Sequence, residues 1–115
     1  MEFTKVEECF EMTRWESDCG HYMVYREKRW RGLAGARGSR VITTISLYYR
    51  EINSAPFKPI AANDDYFKRF GGKDFLGYVP TVPRAQKFAR EHASEIAYRI
   101  NPCIPNKPAE RLPRN

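Results

Sequence analysis

The sequence predicts an α+β fold: a small, mostly antiparallel sheet of three to four strands with one long C-terminal helix packed across one face. Three observations carry this. "RVITTISLYYREI" from position 40 alternates with period two and is rich in β-branched residues. "TVPRAQKFAREHASEIAYRI" keeps an apolar stripe at helical spacing over residues 81–100. And 115 residues with 42% hydrophobic and 14% aromatic content suffice for one core, which excludes a disordered chain.

Taken in order, the first segment, residues 4–17, supports two readings. Thr4 and Glu7 have capping-box spacing, and Phe3, Val6, Phe10 and Thr13 keep helical spacing, which favours a helix; Phe10 and Met12 also alternate as in a strand. If the segment is a strand, "ESDCGH" becomes the turn of a hairpin with residues 21–26, where Tyr22, Met23, Val24 and Tyr25 have strand character. Gly32, Gly35 and Gly38 then punctuate "RGLAGARGSR", which has no period and reads as an exposed loop. The strand over 41–49 puts Val41, Thr43, Ile45, Leu47 and Tyr49 on one face.

Pro56 and Pro59 make "NSAPFKPIAAN" an extended connection, because proline has no N–H for a ladder. Asn63 is a candidate cap for a short helix in "DDYFKRF", which Gly71 and Gly72 end. "KDFLGYVP" reads as a strand bent at Gly77. The long helix begins on Thr81 as N-cap with Pro83 in its first turn. Its inward stripe is Ala85, Phe88, Ala89, His92, Ala93, Ile96 and Ile100. Residues 1–100 thus form the predicted domain, and residues 101–115, with prolines at 102, 105, 108 and 113, an extended tail. A sheet covered on one side leaves its other face for binding.

Charge points to the class of partner. The formal net charge is +6, yet residues 1–19 hold two basic against six acidic side chains, a net of −4, and the remainder holds 18 against eight, a net of +10. The excess peaks in residues 25–40, where Arg26, Lys28, Arg29, Arg31, Arg37 and Arg40 face only Glu27. Glycines beside them let backbone N–H groups approach phosphate oxygens, and Tyr25 and Trp30 supply rings for stacking on bases. Tyr25, Arg26, Lys28, Arg29, Trp30, Arg31, Arg37 and Arg40 are therefore the expected contacts to nucleic acid or to a nucleic-acid-binding complex. The plain alternative is a solvated hairpin whose arginines pair with the acidic N-terminal element.

Chemistry-bearing patterns are missing. "GGKDFLG" lacks P-loop spacing, and His21 and His92 accompany no nucleophile motif, so no catalytic residue and no cofactor are expected. Cys9, Cys19 and Cys103 form no C-x-x-C pair; reduced thiols of a cytoplasmic protein, with no metal site, are the reading. Asp64, Asp65 and Asp74 keep a metal-dependent nuclease as a remote alternative. Acids at the N-terminus and uncharged runs of about nine residues predict neither a secretory signal nor a membrane span.

"DFLGYVPTVPRAQKFAREHA" resembles, over about twenty residues, the strand, turn and helix that end AP2-like and arm-binding integrase domains. That resemblance implies a three-stranded sheet on DNA; residues 41–77 depart from so compact a domain. In size, basicity and lack of catalytic motifs the chain is also similar to small phage proteins that block host nucleic-acid machinery, anti-CRISPR proteins among them. Two readings follow. The first is a non-enzymatic module contacting phosphates through residues 26–40, for which replacing Arg29 and Arg31 flattens the salt dependence of binding. The second is an inhibitor or adaptor that docks on a host nucleic-acid-processing complex, its acidic and basic patches fixing register.

Overall fold

The computed structural model describes residues 1–31 and 40–97, with backbone alone at Trp30, Arg31, Arg40 and Ala97. Its sheet has six strands in chain order: β1 (Phe3–Glu8), β2 (Met12–Ser17), β3 (Tyr22–Arg31), β4 (Arg40–Tyr49), β5 (Lys58–Ala62) and β6 (Gly77–Tyr78). The first four pairings are antiparallel, and β6 joins β5 in parallel. The connection between β5 and β6 holds a 3-10 turn at Asp65–Phe67, the short helix α1 (Lys68–Gly71) and a second 3-10 turn at Gly72–Asp74. Helix α2 (Val82–Ala97) follows. The α+β class and the helix near the C-terminus hold, while three to four strands become six and one helix becomes two.

Each extra element has a local cause. Residues 4–17 form the β1–β2 hairpin rather than a helix, because Thr13 and Ser17 are wanted on the buried side of β2 beside the core strand β3. That is period-two placement, and it prevails over the capping-box pattern, an intrinsic preference that tertiary pairing overrides. The turn at Phe10 and Glu11 is closed by Cys9 N–H to Met12 O (2.8 Å) and Met12 N–H to Cys9 O (3.3 Å). β5 forms in spite of Pro59, which sits opposite Tyr48 where the register of β4 and β5 shifts, a position that does not use its missing N–H. Asn63 caps no helix. Its side chain accepts from Ile45 N–H (3.0 Å) and donates to Thr43 O (3.1 Å), prolonging the edge of β4, and Asp64 caps the 3-10 turn through Tyr66 N–H (2.9 Å). "KDFLGYVP" yields only the two residues of β6.

Helix α2 lies across β3 and β4. Thr81 is its cap as expected, its Oγ1 accepting from Arg84 N–H (3.3 Å). Ala85, Ala89 and Ala93 are fully buried, and with no side chain beyond Cβ they bring the helix close to Tyr22, Val24, Leu47 and Ile60. Burying Val24, Leu47 or Ile60 stabilises by about 1.5–3 kcal/mol each. Tyr22 is buried with its hydroxyl hydrogen-bonded to His92 Nδ1 at 2.6 Å, which satisfies the one polar group that ring carries into the core.

Register then assigns the remaining strand positions to two sides. Val24 is opposite Trp15 and Leu47, and Arg26 is opposite Thr13 and Ile45, so these share the helix side; Tyr25 opposite Arg14 and Ser46 belongs to the outer side. The outer side is not bare, because Phe67 of the connection packs edge-on against Tyr48. The tail, residues 101–115, lies outside the described residues, as does Ile100 of the expected helical stripe.

Candidate nucleic-acid interface

The expected contact residues do not sit on a loop as a group. Residues 26–31 and Arg40 are strand, and Arg37, with the rest of residues 32–39, lies outside the described residues. The side chains of Trp30, Arg31 and Arg40 lie outside them as well; their backbones pair as Trp30 with Val41 and Arg31 with Arg40. Beyond Lys28, β3 and β4 run as a two-stranded ribbon. The β2 ladder ends at Met12 opposite Glu27 with one more bond from Lys28 N–H to Glu11 O (2.8 Å), and the β5 ladder ends at Ala62 opposite Ser46.

Alternation along β3 separates the four contacts whose side chains are described. Tyr25 and Arg29 are on the outer side, and Arg26 and Lys28 on the helix side. Tyr25 is half-buried with its ring edge-on to Tyr48, 6.4 Å between centroids, so one edge of it is already spent on packing. Burial pushes its hydroxyl above the ordinary tyrosine range, helped by Glu27 and Glu7. Arg29 holds Asp64 Oδ2 at 3.0 Å. Arg14, on the same side, reaches Glu7 at 3.2 Å and Glu16 at 3.6 Å. On the outer side, Arg14 and Arg29 are thus neutralised by the protein's own carboxylates.

The helix side differs. Arg26 lies with its guanidinium 5.3 Å from the centre of the Trp15 ring and donates to Thr13 Oγ1 at 3.4 Å. Lys28 Nζ stands 5.8 Å from the centre of the Phe10 ring. Both distances are within cation–π reach. Among the described residues neither cation meets a carboxylate within ion-pair distance, so each retains its full charge toward solvent. Two residues apart on one strand, they are separated by about 6.8 Å along the chain. Phe10, Glu11, Lys28, Arg29, Val41 and Thr43 line an open groove of about 420 Å3 at the root of the ribbon. Phe10 is 86% exposed and Val41 49%.

Trp15 and Phe10 were not among the expected contacts. The signal for them was present, since a hairpin over residues 3–17 places Phe10 at its tip and Trp15 opposite Val24. The acids offered as metal ligands are each paired instead: Asp64 with Arg29, Asp65 with Lys68 at 3.5 Å, and Asp74 with Lys58 at 3.7 Å. Among the described residues no three ligand side chains gather in a metal-binding group. Cys9 is a free, exposed thiol, whereas Cys19 is disulfide-bonded, which corrects the expectation of reduced thiols at that position. Among the described residues no helix is long and apolar enough to cross a membrane.

A second cleft of about 470 Å3 lies at the opposite end of β4, walled by Tyr49, Ile60, Leu76 and His92, with Arg50, Lys58 and Lys73 interspersed with Glu51 and Asp74. Arg50 is fixed there, its Nε donating to Gly20 O at 2.8 Å and its guanidinium 4.1 Å from the centre of the Phe57 ring. Its mixed charge selects no ligand class. Compared with known proteins, the chain matches no family model, no curated protein and no solved structure.

Proposed function

We propose that this protein is a non-enzymatic nucleic-acid-binding module that engages phosphates through the helix side of the β3–β4 ribbon. One observation carries the reading: Arg26 and Lys28 share one side of β3, each resting on an aromatic ring and neither tied to a carboxylate among the described residues, while Arg14 and Arg29 on the outer side are paired internally. A net charge of +6 adds the long-range field that draws a polyanion to such a site. The ribbon provides the shape, because two antiparallel strands are narrow enough to follow a nucleic-acid groove or a single strand.

The test is a titration of labelled oligonucleotides over a range of salt. Binding at low salt, with log K falling linearly in log salt, is the expected result; no binding at low salt refutes the proposal.

A second reading has its own observation. Exposed Glu11, on the turn between β1 and β2, shares the groove with Lys28, so an acidic and a basic group adjoin, the pattern by which a protein docks on a nucleoprotein complex in one register. Capture of a nucleic-acid-processing complex that survives nuclease treatment, by a protein that binds no oligonucleotide alone, supports this reading over the first.

A further inference from the structure

Phe10 is out of place by turn chemistry. A two-residue hairpin turn is the province of Gly, Asn and Asp, which meet its dihedral demands and its exposure to water. Here it displays a phenyl ring that is 86% exposed. Among the described residues nothing requires this ring: it belongs to no core cluster, and Lys28 Nζ stands 5.8 Å from its centre. An aliphatic or polar side chain serves the hairpin as well. The ring does form one wall of the 420 Å3 groove whose remaining lining is Glu11, Lys28, Arg29, Val41 and Thr43.

We infer that this groove receives an unpaired nucleobase of a single-stranded nucleic acid, stacked on the open side of Phe10, with the flanking phosphates on Lys28 and Arg26. The inference rests on the nucleic-acid reading above and adds the substrate class and the residue that selects it. Charge complementarity commits the groove to this occupant. A base brings an uncharged π-face for the ring and an apolar edge for Val41, and it is chained to phosphates on both sides, which Lys28 and Arg26, neither held by a carboxylate among the described residues, can meet one each. The bases of a duplex are stacked on one another and present no free face to a ring at a turn tip, so duplex binding uses the cations alone. Thr43 and the carboxylate of Glu11 line the same groove and offer the base edge a hydroxyl and an acceptor.

The experiment compares wild type, Phe10→Ala and Phe10→Trp on four probes of equal length: a mixed-sequence DNA single strand, the same sequence in RNA, its DNA duplex, and a DNA strand carrying abasic sites. Phe10 is exposed, so the variants keep the wild-type circular dichroism and melting point. Phe10→Ala is expected to weaken binding to the base-bearing single strands by about 5- to 100-fold. The same variant leaves the duplex and the abasic strand within about twofold and does not change the salt slope, because a ring releases no counterions. Phe10→Trp restores single-strand affinity. DNA and RNA strands that respond alike locate recognition at the base; a loss confined to one of them adds a sugar contact to the same groove. An equal loss on the abasic strand, or no loss on any strand, overturns the inference while leaving phosphate binding intact. Wild type that binds none of the probes at low salt overturns the parent reading instead.

Discussion

If the two sides of β3 differ as described, the salt dependence of binding will be carried by one of them. Replacing Arg26 and Lys28 by alanine removes two cations that have no carboxylate partner among the described residues, and on a single strand each lost phosphate contact reduces the slope of log K against log salt by about 0.7. The double variant is therefore expected to be shallower by about 1.4. Replacing Arg14 and Arg29 removes the same formal charge, yet these guanidinium groups already sit on Glu7, Glu16 and Asp64 at 3.2, 3.6 and 3.0 Å. A cation neutralised by its own carboxylate displaces few counterions from a phosphate, so that double variant keeps nearly the wild-type slope. Asp64→Asn sharpens the test. Its amide oxygen still caps the 3-10 turn through Tyr66 N–H, but Arg29 is released, and the slope is expected to steepen by up to about 0.7. Fluorescence anisotropy at five or more salt concentrations measures all four proteins, with melting curves to confirm folding. Equal flattening by the two double variants, or a larger effect at Arg29, refutes the division between the sides.

Three further predictions concern the scaffold. Leu47→Ala empties a fully buried position of β4 and is expected to cost about 2–5 kcal/mol in urea unfolding; a loss below about 1 kcal/mol contradicts the core described. Gly71→Ala sets a Cβ 2.5 Å from the Pro59 carbonyl oxygen, so α1 must move off β5 at a cost of about 1–3 kcal/mol, and an unchanged melting point is inconsistent with that packing. Burial, with the Tyr49 hydroxyl adding to it, holds the Tyr22 hydroxyl far above its ordinary value. The unfolded chain loses this proton near pH 10 and the folded chain keeps it, so stability is full below about pH 10 and falls above it by about 1.4 kcal/mol per pH unit. Tyr22→Phe removes that part of the alkaline slope, and an unchanged urea midpoint profile between about pH 9 and pH 11 tells against it.

What the sequence revealed and what it concealed have separate physical origins. Residues 41–49 and the Thr81-capped helix were legible because propensity, periodicity and capping agree there. At residues 4–17 they conflict. Phe10 and Thr13 keep helical spacing, Thr4 and Glu7 mimic a capping box, and the decision falls to the pairing of β2 with β3, contacts seven to fifteen residues apart that the spacing within residues 4–17 does not contain. Pro59 misled in the opposite direction, since a proline at a register shift costs the ladder nothing. In the candidate site the Arg- and Gly-rich composition of residues 26–40 suggests a loop, which has no sides to distinguish. Continued through Arg31, the period of Tyr22, Val24 and Arg26 already separates Arg26 and Lys28 from Arg29. The Arg29 to Asp64 bridge spans 35 residues and was beyond any reading of one segment.

The charge of a segment and the charge of a surface are consequently different quantities. A strand sends successive cations to opposite sides, and each side meets its own neighbours: Trp15 and Phe10 on one, Glu7, Glu16 and Asp64 on the other. Aromatic neighbours leave a cation's charge in place and fix its position, whereas carboxylates cancel the charge. Five net positive charges over sixteen residues of sequence therefore reduce, for the side chains described, to two that face solvent unpaired. One of those two, Lys28, adjoins the most exposed aromatic ring among the described hydrophobic residues, and that coincidence, more than the net charge, makes the root of the ribbon the part of the molecule to mutate first.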